Sequence, residues 1–196
     1  MPQILKEQLS FDLGPINSND TLRQTTAFEL GEIAPNVQSQ ASLFPRSRYM
    51  GSKRVILPFI YHITKSLSFE TVLDAFSGSG VVSYLFKSMG KAVTSNDFLA
   101  FCYHIANACI ENSSHKLTFL EVEKILSCHP SPNNFIQHNF DGLYFSSVDN
   151  RLLDHATAHI REIKNPYKQS LAYAAITWAC LRKRARGAFT VTGDRY

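Results

Sequence analysis

The chain has 196 residues, 44% of them apolar and 18% charged, which is enough for one domain with a real core and excludes neither an enzyme nor a binding module. Its formal charge of +4 is a mild basic excess, gathered where Arg182, Lys183, Arg184 and Arg186 crowd together; such a cluster serves phosphate contact or is a solvated face. Four cysteines, Cys102, Cys109, Cys128 and Cys180, form no CxxC pair and no zinc-holding spacing with histidine, so reduced thiols and no metal site are expected.

The start, Met1 to Lys6, lacks the apolar region of a signal peptide, and no stretch approaches the roughly 20 apolar residues of a membrane span. An intracellular, cytoplasmic protein with no membrane partner is the expectation. Positions 1–45 are rich in Gln, Asn, Ser and Thr without a sustained apolar period, and read as a polar extension. Within it, AFELGEI (Ala27 to Ile33) has the apolar content to dock on a neighbour.

Regular structure begins at RYMGSKRVILPFIYHITKS, Arg48 to Ser66. A glycine-containing turn leads into a helix with Pro58 in its first turn, and Ile56, Phe59, Ile60 and Ile63 share one face. Thr71 to Ala75 (TVLDA) is a short strand. FSGSG follows as a tight loop, and Val81 to Met89 is a helix closed by Gly90. A second strand, Ala92 to Ser95, ends at Asn96 and Asp97, and Phe98 to Glu111 returns to helical spacing. Strand, glycine loop, helix, strand, acidic residue, helix is the opening of an open parallel α/β sheet, and residues 46–115 form that portion. Residues 116–196 read as mainly helical. Helices are expected over Leu117 to Leu126, Asp149 to Ile163 and Tyr167 to Arg184, with HPSPNN (His129 to Asn134) as a breaker. In the last helix Leu171, Ala174, Ala175, Trp178 and Leu181 lie at core-facing spacing.

The chemistry concentrates at DAFSGSG, Asp74 to Gly80. Gly78 and Gly80 let the backbone turn sharply and let a ligand come close, while the next helix presents free N–H groups. A dinucleotide site needs a third glycine near position 83, where this chain has Ser83, so a pyrophosphate ligand is disfavoured. Asp97, at the end of the following strand, stands where a carboxylate meets ribose hydroxyls or caps the helix after it. Asp74 either braces the loop or meets an amino group of the ligand.

Together these segments carry a resemblance. RYMGSK, DAFSGSG and SNDF are similar, in order and spacing, to the aromatic-x-Gly-x-Lys, Phe-x-Gly-x-Gly and Asn-Asp elements of Dam-type N6-adenine DNA methyltransferases. The resemblance implies part of a Rossmann-like S-adenosylmethionine-dependent methyltransferase sheet, joined to a mainly helical DNA-recognition segment in a prokaryotic cytoplasm. It implies an S-adenosylmethionine site in which Tyr49, Gly51 and Lys53 wrap the methionine end, Phe76, Gly78 and Gly80 form the floor, and Asp97 takes the ribose. It extends to NFIQHNFDGLYFSSVDN (Asn134 to Asn150) and LRKRARGAFTVTGDRY (Leu181 to Tyr196), where the family places contacts to double-stranded DNA. Arg182, Lys183, Arg184 and Arg186 are the DNA-binding candidates, with Gly187 to Gly193 a β-prone finger after them.

One element of that family is missing. An Asp/Asn/Ser-Pro-Pro-aromatic motif positions the adenine amino group for methylation and stacks the flipped base, and no Pro-Pro pair occurs among the 196 residues. The nearest match, Asn165-Pro166-Tyr167, reads as a helix start. No catalytic residue is therefore assigned to this chain. With that motif missing, the expectation is a split enzyme, a heterodimer of the restriction-modification kind, in which a partner subunit carries the motif. The strand bearing that motif would pair beside Thr71 to Ala75, whose edge is otherwise open. The alternatives are a catalytically inactive fragment that binds cofactor or DNA, and a methyltransferase acting on RNA or a small molecule.

Overall fold

The computed structural model describes residues 32–47 and 49–183. They form two parallel strands and eight α-helices. In chain order these are α1 (Pro35–Ala41), α2 (Leu57–Thr64, entered by a 3-10 turn Lys53–Ile56), β1 (Thr71–Asp74), α3 (Val81–Ser88), β2 (Ala92–Ser95), α4 (Ala100–Ala106, continued by a π turn Asn107–Glu111), α5 (Phe119–Leu126), α6 (Phe135–Phe140), α7 (Ser147–Glu162) and α8 (Pro166–Lys183).

The strands, α3 and α4 follow the expected order. β1 and β2 pair in parallel with Thr71 opposite Ala92 and Asp74 opposite Ser95. These two strands are the portion of the expected α/β sheet that the described residues contain. Helix α3 ends as Gly90 requires: at φ +78° it lets its own N–H reach Lys87 O and the Lys91 N–H reach Phe86 O, satisfying two carbonyls of the last turn.

Local chemistry sets the later helix starts. Thr118 and Glu121 form a reciprocal capping box at α5, and Ser146 and Asp149 form another at α7. Asn165 Oδ1 accepts the N–H groups of Tyr167 and Lys168, so Asn165-Pro166-Tyr167 is a helix start, as expected.

Two apolar clusters hold the structure. The first gathers Ile33, Val37, Phe44, Leu57, Val81, Leu85, Ile105, Ala108 and Ala174; the second joins Ile125, Ala156, Ile160 and Ala172. Helix α8 lies between them, turning Leu171, Ala174 and Trp178 to one and Ala172, Tyr173 and Ile176 to the other. That double duty explains why the expected single stripe is incomplete, with Ala175 exposed and Ala172 buried.

Helices α1 and α6 were not legible in the sequence. Ile33, Val37 and Phe44 of the polar 1–45 stretch are buried in the first cluster, too few and too irregularly spaced to make a period. The apolar stripe leading into and along α2 faces largely outward: Leu57 is buried and Ile60 packs against the first cluster, whereas Ile56 of the 3-10 turn and Phe59 and Ile63 of α2 are 44–48% exposed. No helix among the described residues is long and apolar enough to cross a membrane.

Candidate functional site

Because β1 and β2 are parallel, the loops leaving their C-terminal ends meet on one side of the sheet. The backbone ladder continues into them: Asn96 N–H donates to Asp74 O at 2.8 Å and Ser77 N–H to Asn96 O at 2.9 Å, while the Asn96 side chain donates to Ala75 O at 2.9 Å. Asp97 sits at the junction. Its Oδ2 accepts Gly78 N–H at 2.8 Å and its Oδ1 accepts Leu99 N–H at 3.1 Å. These bonds, Leu99's first and Gly78's next, hold the Asp97 carboxyl below its ordinary range.

Gly78 adopts φ +50°, and a Cβ there would stand 3.3 Å from Tyr49 Cε1. The tyrosine ring thus packs directly on the glycine turn, 5.9 Å from the Phe101 ring. Burial, then Cys102 and Asp97, push the Tyr49 phenol up. Cys102 is buried beneath, its thiol pushed up to about 12, first by burial and then by Asp97, which keeps it a thiol and not a thiolate. Gly80, at φ +76°, is buried, with Ile105 Cγ2 at 3.3 Å and Phe44 Cζ at 3.5 Å from where its Cβ would lie. Its missing side chain serves the seating of the loop on the core.

The turn before α2 joins the same place through Ser52, whose hydroxyl lies 3.2 Å from that of Ser79. Gly51, at φ +79°, makes that turn possible. Lys53 folds back on it, donating to Gly51 O at 3.1 Å, and remains exposed. Phe76 is 90% and Phe98 98% exposed, two bare aromatic rings in the loops that flank the glycine turn. Asp74 is half-buried at the end of β1 and accepts the Ser83 hydroxyl at 2.6 Å.

Six of the eight expected binding residues, Tyr49, Gly51, Asp74, Gly78, Gly80 and Asp97, are therefore tied to one constellation by contacts or turns, while Lys53 and Phe76 stand at its exposed margin. The rim is rich in acceptors. Carboxylates at adjacent strand ends suit hydroxyl and ammonium groups and repel a pyrophosphate, and bare aromatic rings suit a flat heterocycle. Sequence reasoning gave no role to Ser52 or Cys102 and used Ser83 only to exclude a dinucleotide; Phe98, next to Asp97 in NDF, was the legible signal left unused.

Of the basic candidates, Arg182 is half-buried in the last turn of α8 and Lys183 is exposed, its Nζ 2.6 Å from Asp149 Oδ2. Arg184 and Arg186 lie outside the described residues, as does the Gly187 to Gly193 segment.

One trio among the described residues, His129, His159 and Glu162, brings metal-ligand atoms within 4.8 Å of one another. Its protons argue against an ion. Ser131 N–H donates to His129 Nδ1 at 3.0 Å, which leaves the ring proton on Nε2, facing Glu162 Oε1 at 3.1 Å. A protonated ring nitrogen is no ligand, and the Glu162 carboxylate already has a cation in Lys124, 3.2 Å from its Oε2.

Residues 49–196 match the family described as D12 class N6 adenine-specific DNA methyltransferase. The chain is similar to the Type II methyltransferase M2.HphI of Haemophilus parahaemolyticus, with 32% identity over 152 residues that make up 78% of this chain and 45% of that protein. It is also similar to the modification methylase StsI of Streptococcus sanguinis, with 44% identity over 70 residues, 34% of this chain and 11% of that protein. The chain thus spans less than half the length of either relative. No solved structure matches it.

Proposed function

The chain belongs to the D12 class N6 adenine-specific DNA methyltransferase family, and on that footing we propose that it is the S-adenosylmethionine-binding subunit of a split, site-specific DNA methyltransferase acting on adenine N6. The Pro-Pro segment that holds the target base comes from a partner subunit, and Arg182, Lys183, Arg184 and Arg186 contribute contacts to double-stranded DNA.

The observation that carries the cofactor reading is the bond between Asp97 and Gly78, which gathers a carboxylate and a glycine turn at the open end of two parallel strands. Asp97 retains lone pairs for ribose hydroxyls, and the exposed Phe98 beside it offers a face to an adenine on that ribose. Tyr49, Gly51 and Lys53 lie toward the methionine end, with Phe76, Gly78 and Gly80 beneath. When bound, the cofactor supplies the methyl group; the residues of this chain orient it and shape the turn around it.

Support for a partner comes from surface left bare. A parallel sheet is ordinarily covered on both faces, yet Leu73 of β1 is 67% exposed, and Ile56 of the 3-10 turn and Phe59 and Ile63 of α2 are exposed as well. An interface of the obligate class would bury such faces. The deciding experiment purifies residues 1–196 alone and together with a polypeptide bearing the Asp/Asn/Ser-Pro-Pro-aromatic motif, and measures methyl incorporation into adenine. Activity only in the mixture is expected. Full activity from the homogeneous chain alone overturns the split arrangement.

A further inference from the structure

Ser83, the third residue of α3, is fully buried between the helix and the sheet. Its hydroxyl donates to Asp74 Oδ2 at 2.6 Å and accepts the hydroxyl of Ser95, on β2, at 2.8 Å. A hydroxyl has one proton to give, so the direction of the relay is set: Ser95 to Ser83 to the carboxylate. The terminal bond has the short length of a charge-assisted contact. It pins one Asp74 oxygen to the first turn of α3 and leaves Oδ1 without a partner among the described residues.

The two carboxylates of the rim are thereby made different. Asp97 has a backbone N–H on each oxygen, which disperses its charge and suits it to neutral hydroxyls. Asp74 keeps one oxygen uncompensated and held in place, which suits a cation. We infer that Ser83 is a positioning residue that aims Asp74 at the ammonium group of the cofactor's amino-acid end. This rests on the S-adenosylmethionine reading above and gives it a charge-selecting element. The residue whose size disfavours a dinucleotide then also orients the group that takes the chosen ligand.

The test is calorimetry on the purified chain with S-adenosylhomocysteine, which carries the ammonium group, and 5′-methylthioadenosine, which lacks it. Ser83→Ala is expected to weaken the first about five- to tenfold and leave the second unchanged. In an Asp74→Asn background the same substitution is expected to cost nothing further, because Ser83 acts through the carboxylate. The double variant Ser83→Ala with Ser95→Ala removes both hydroxyls, so no buried donor is stranded, and it is expected to reproduce the single variant's discrimination in a folded protein. An equal loss for both ligands, or additive losses with Asp74→Asn, overturns the positioning role while leaving the cofactor site standing. Failure of the unaltered chain to bind either ligand overturns both.

Discussion

Asp97 accepts the backbone N–H of Gly78 across 19 residues of chain. The carboxylate that closes the second strand therefore also shapes the turn that closes the first. Asp97→Ala releases that turn and, on the function proposed above, also removes the ribose contact, so it is expected to weaken S-adenosylmethionine binding by about 1–3 kcal/mol in calorimetry. Asp97→Asn keeps an acceptor oxygen and should lose less. Unchanged affinity for the alanine variant would show that the ribose is held elsewhere.

At Gly78 the left-handed backbone and the Tyr49 ring act together. Gly78→Ala places a Cβ 3.3 Å from that ring at φ +50°, and the backbone strain alone costs about 1–2 kcal/mol. Both melting temperature and cofactor affinity should fall. Adding Tyr49→Ala relieves the contact but not the dihedral, so recovery of stability should be partial. Complete recovery would mean the dihedral is unstrained.

The bare apolar faces give a prediction about assembly. Leu73 and Phe59 are 67% and 44% exposed, so Leu73→Lys and Phe59→Lys should change the stability of the chain alone by no more than about 0.5 kcal/mol. Co-purification with the motif-bearing partner should be lost. Retained binding by both variants would place the interface on another surface.

Neutralising Arg182, Lys183 and Arg184 together should flatten the dependence of DNA affinity on salt, by up to roughly 0.9 in slope for each phosphate contact removed. Lys183→Ala alone should move it least, since that ammonium already faces Asp149 at 2.6 Å. A slope indifferent to the triple change would mark the end of α8 as a solvated face.

Glu121 supplies a pH signature. Lys168 first, and then the backbone N–H of Thr118, lower its carboxyl from 4.5 to about 2. A carboxyl depressed in the folded state contributes stability that is present above its ordinary pKa and lost as the pH falls through the depressed one. The melting-temperature gap between the unaltered chain and Glu121→Gln should hold steady from pH 7 to about 5 and shrink between 4.5 and about 2. A gap that persists at pH 2 would assign the effect to packing.

Much of the site was legible because its parts are local. The glycines of DAFSGSG, the carboxylate of SNDF and the spacing of strand and helix lie within one βαβ run, and each has a short-range reason for its residue type. What escaped depended on distance in the chain. Ser52 meets Ser79 across 27 residues, and Phe44 reaches the core from a segment whose composition reads as polar. Ser83 was visible as the absence of a glycine; that its hydroxyl is the link between Asp74 and Ser95 needed the register of helix on sheet. The orientation of α2 was likewise undecidable, because a stripe of Ile and Phe is apolar whether it meets its own core or another chain.

The sandwiched position of α8 has a thermodynamic consequence. Phe44 lies against the glycine loop and packs edge-on to Trp178, 6.1 Å away, while two residues earlier on the same helix Ile176 belongs to the opposite cluster. Near its start, Ser170 accepts from the buried Asn107 of the π turn at 2.9 Å. The α/β and helical portions thus share one inseparable element. Cutting the chain between Ser114 and Phe119 would not release two folding halves, since each would lose a wall of its core. Melting should proceed as a single cooperative step, and a ligand that tightens the glycine loop should raise protection from hydrogen exchange as far as α8.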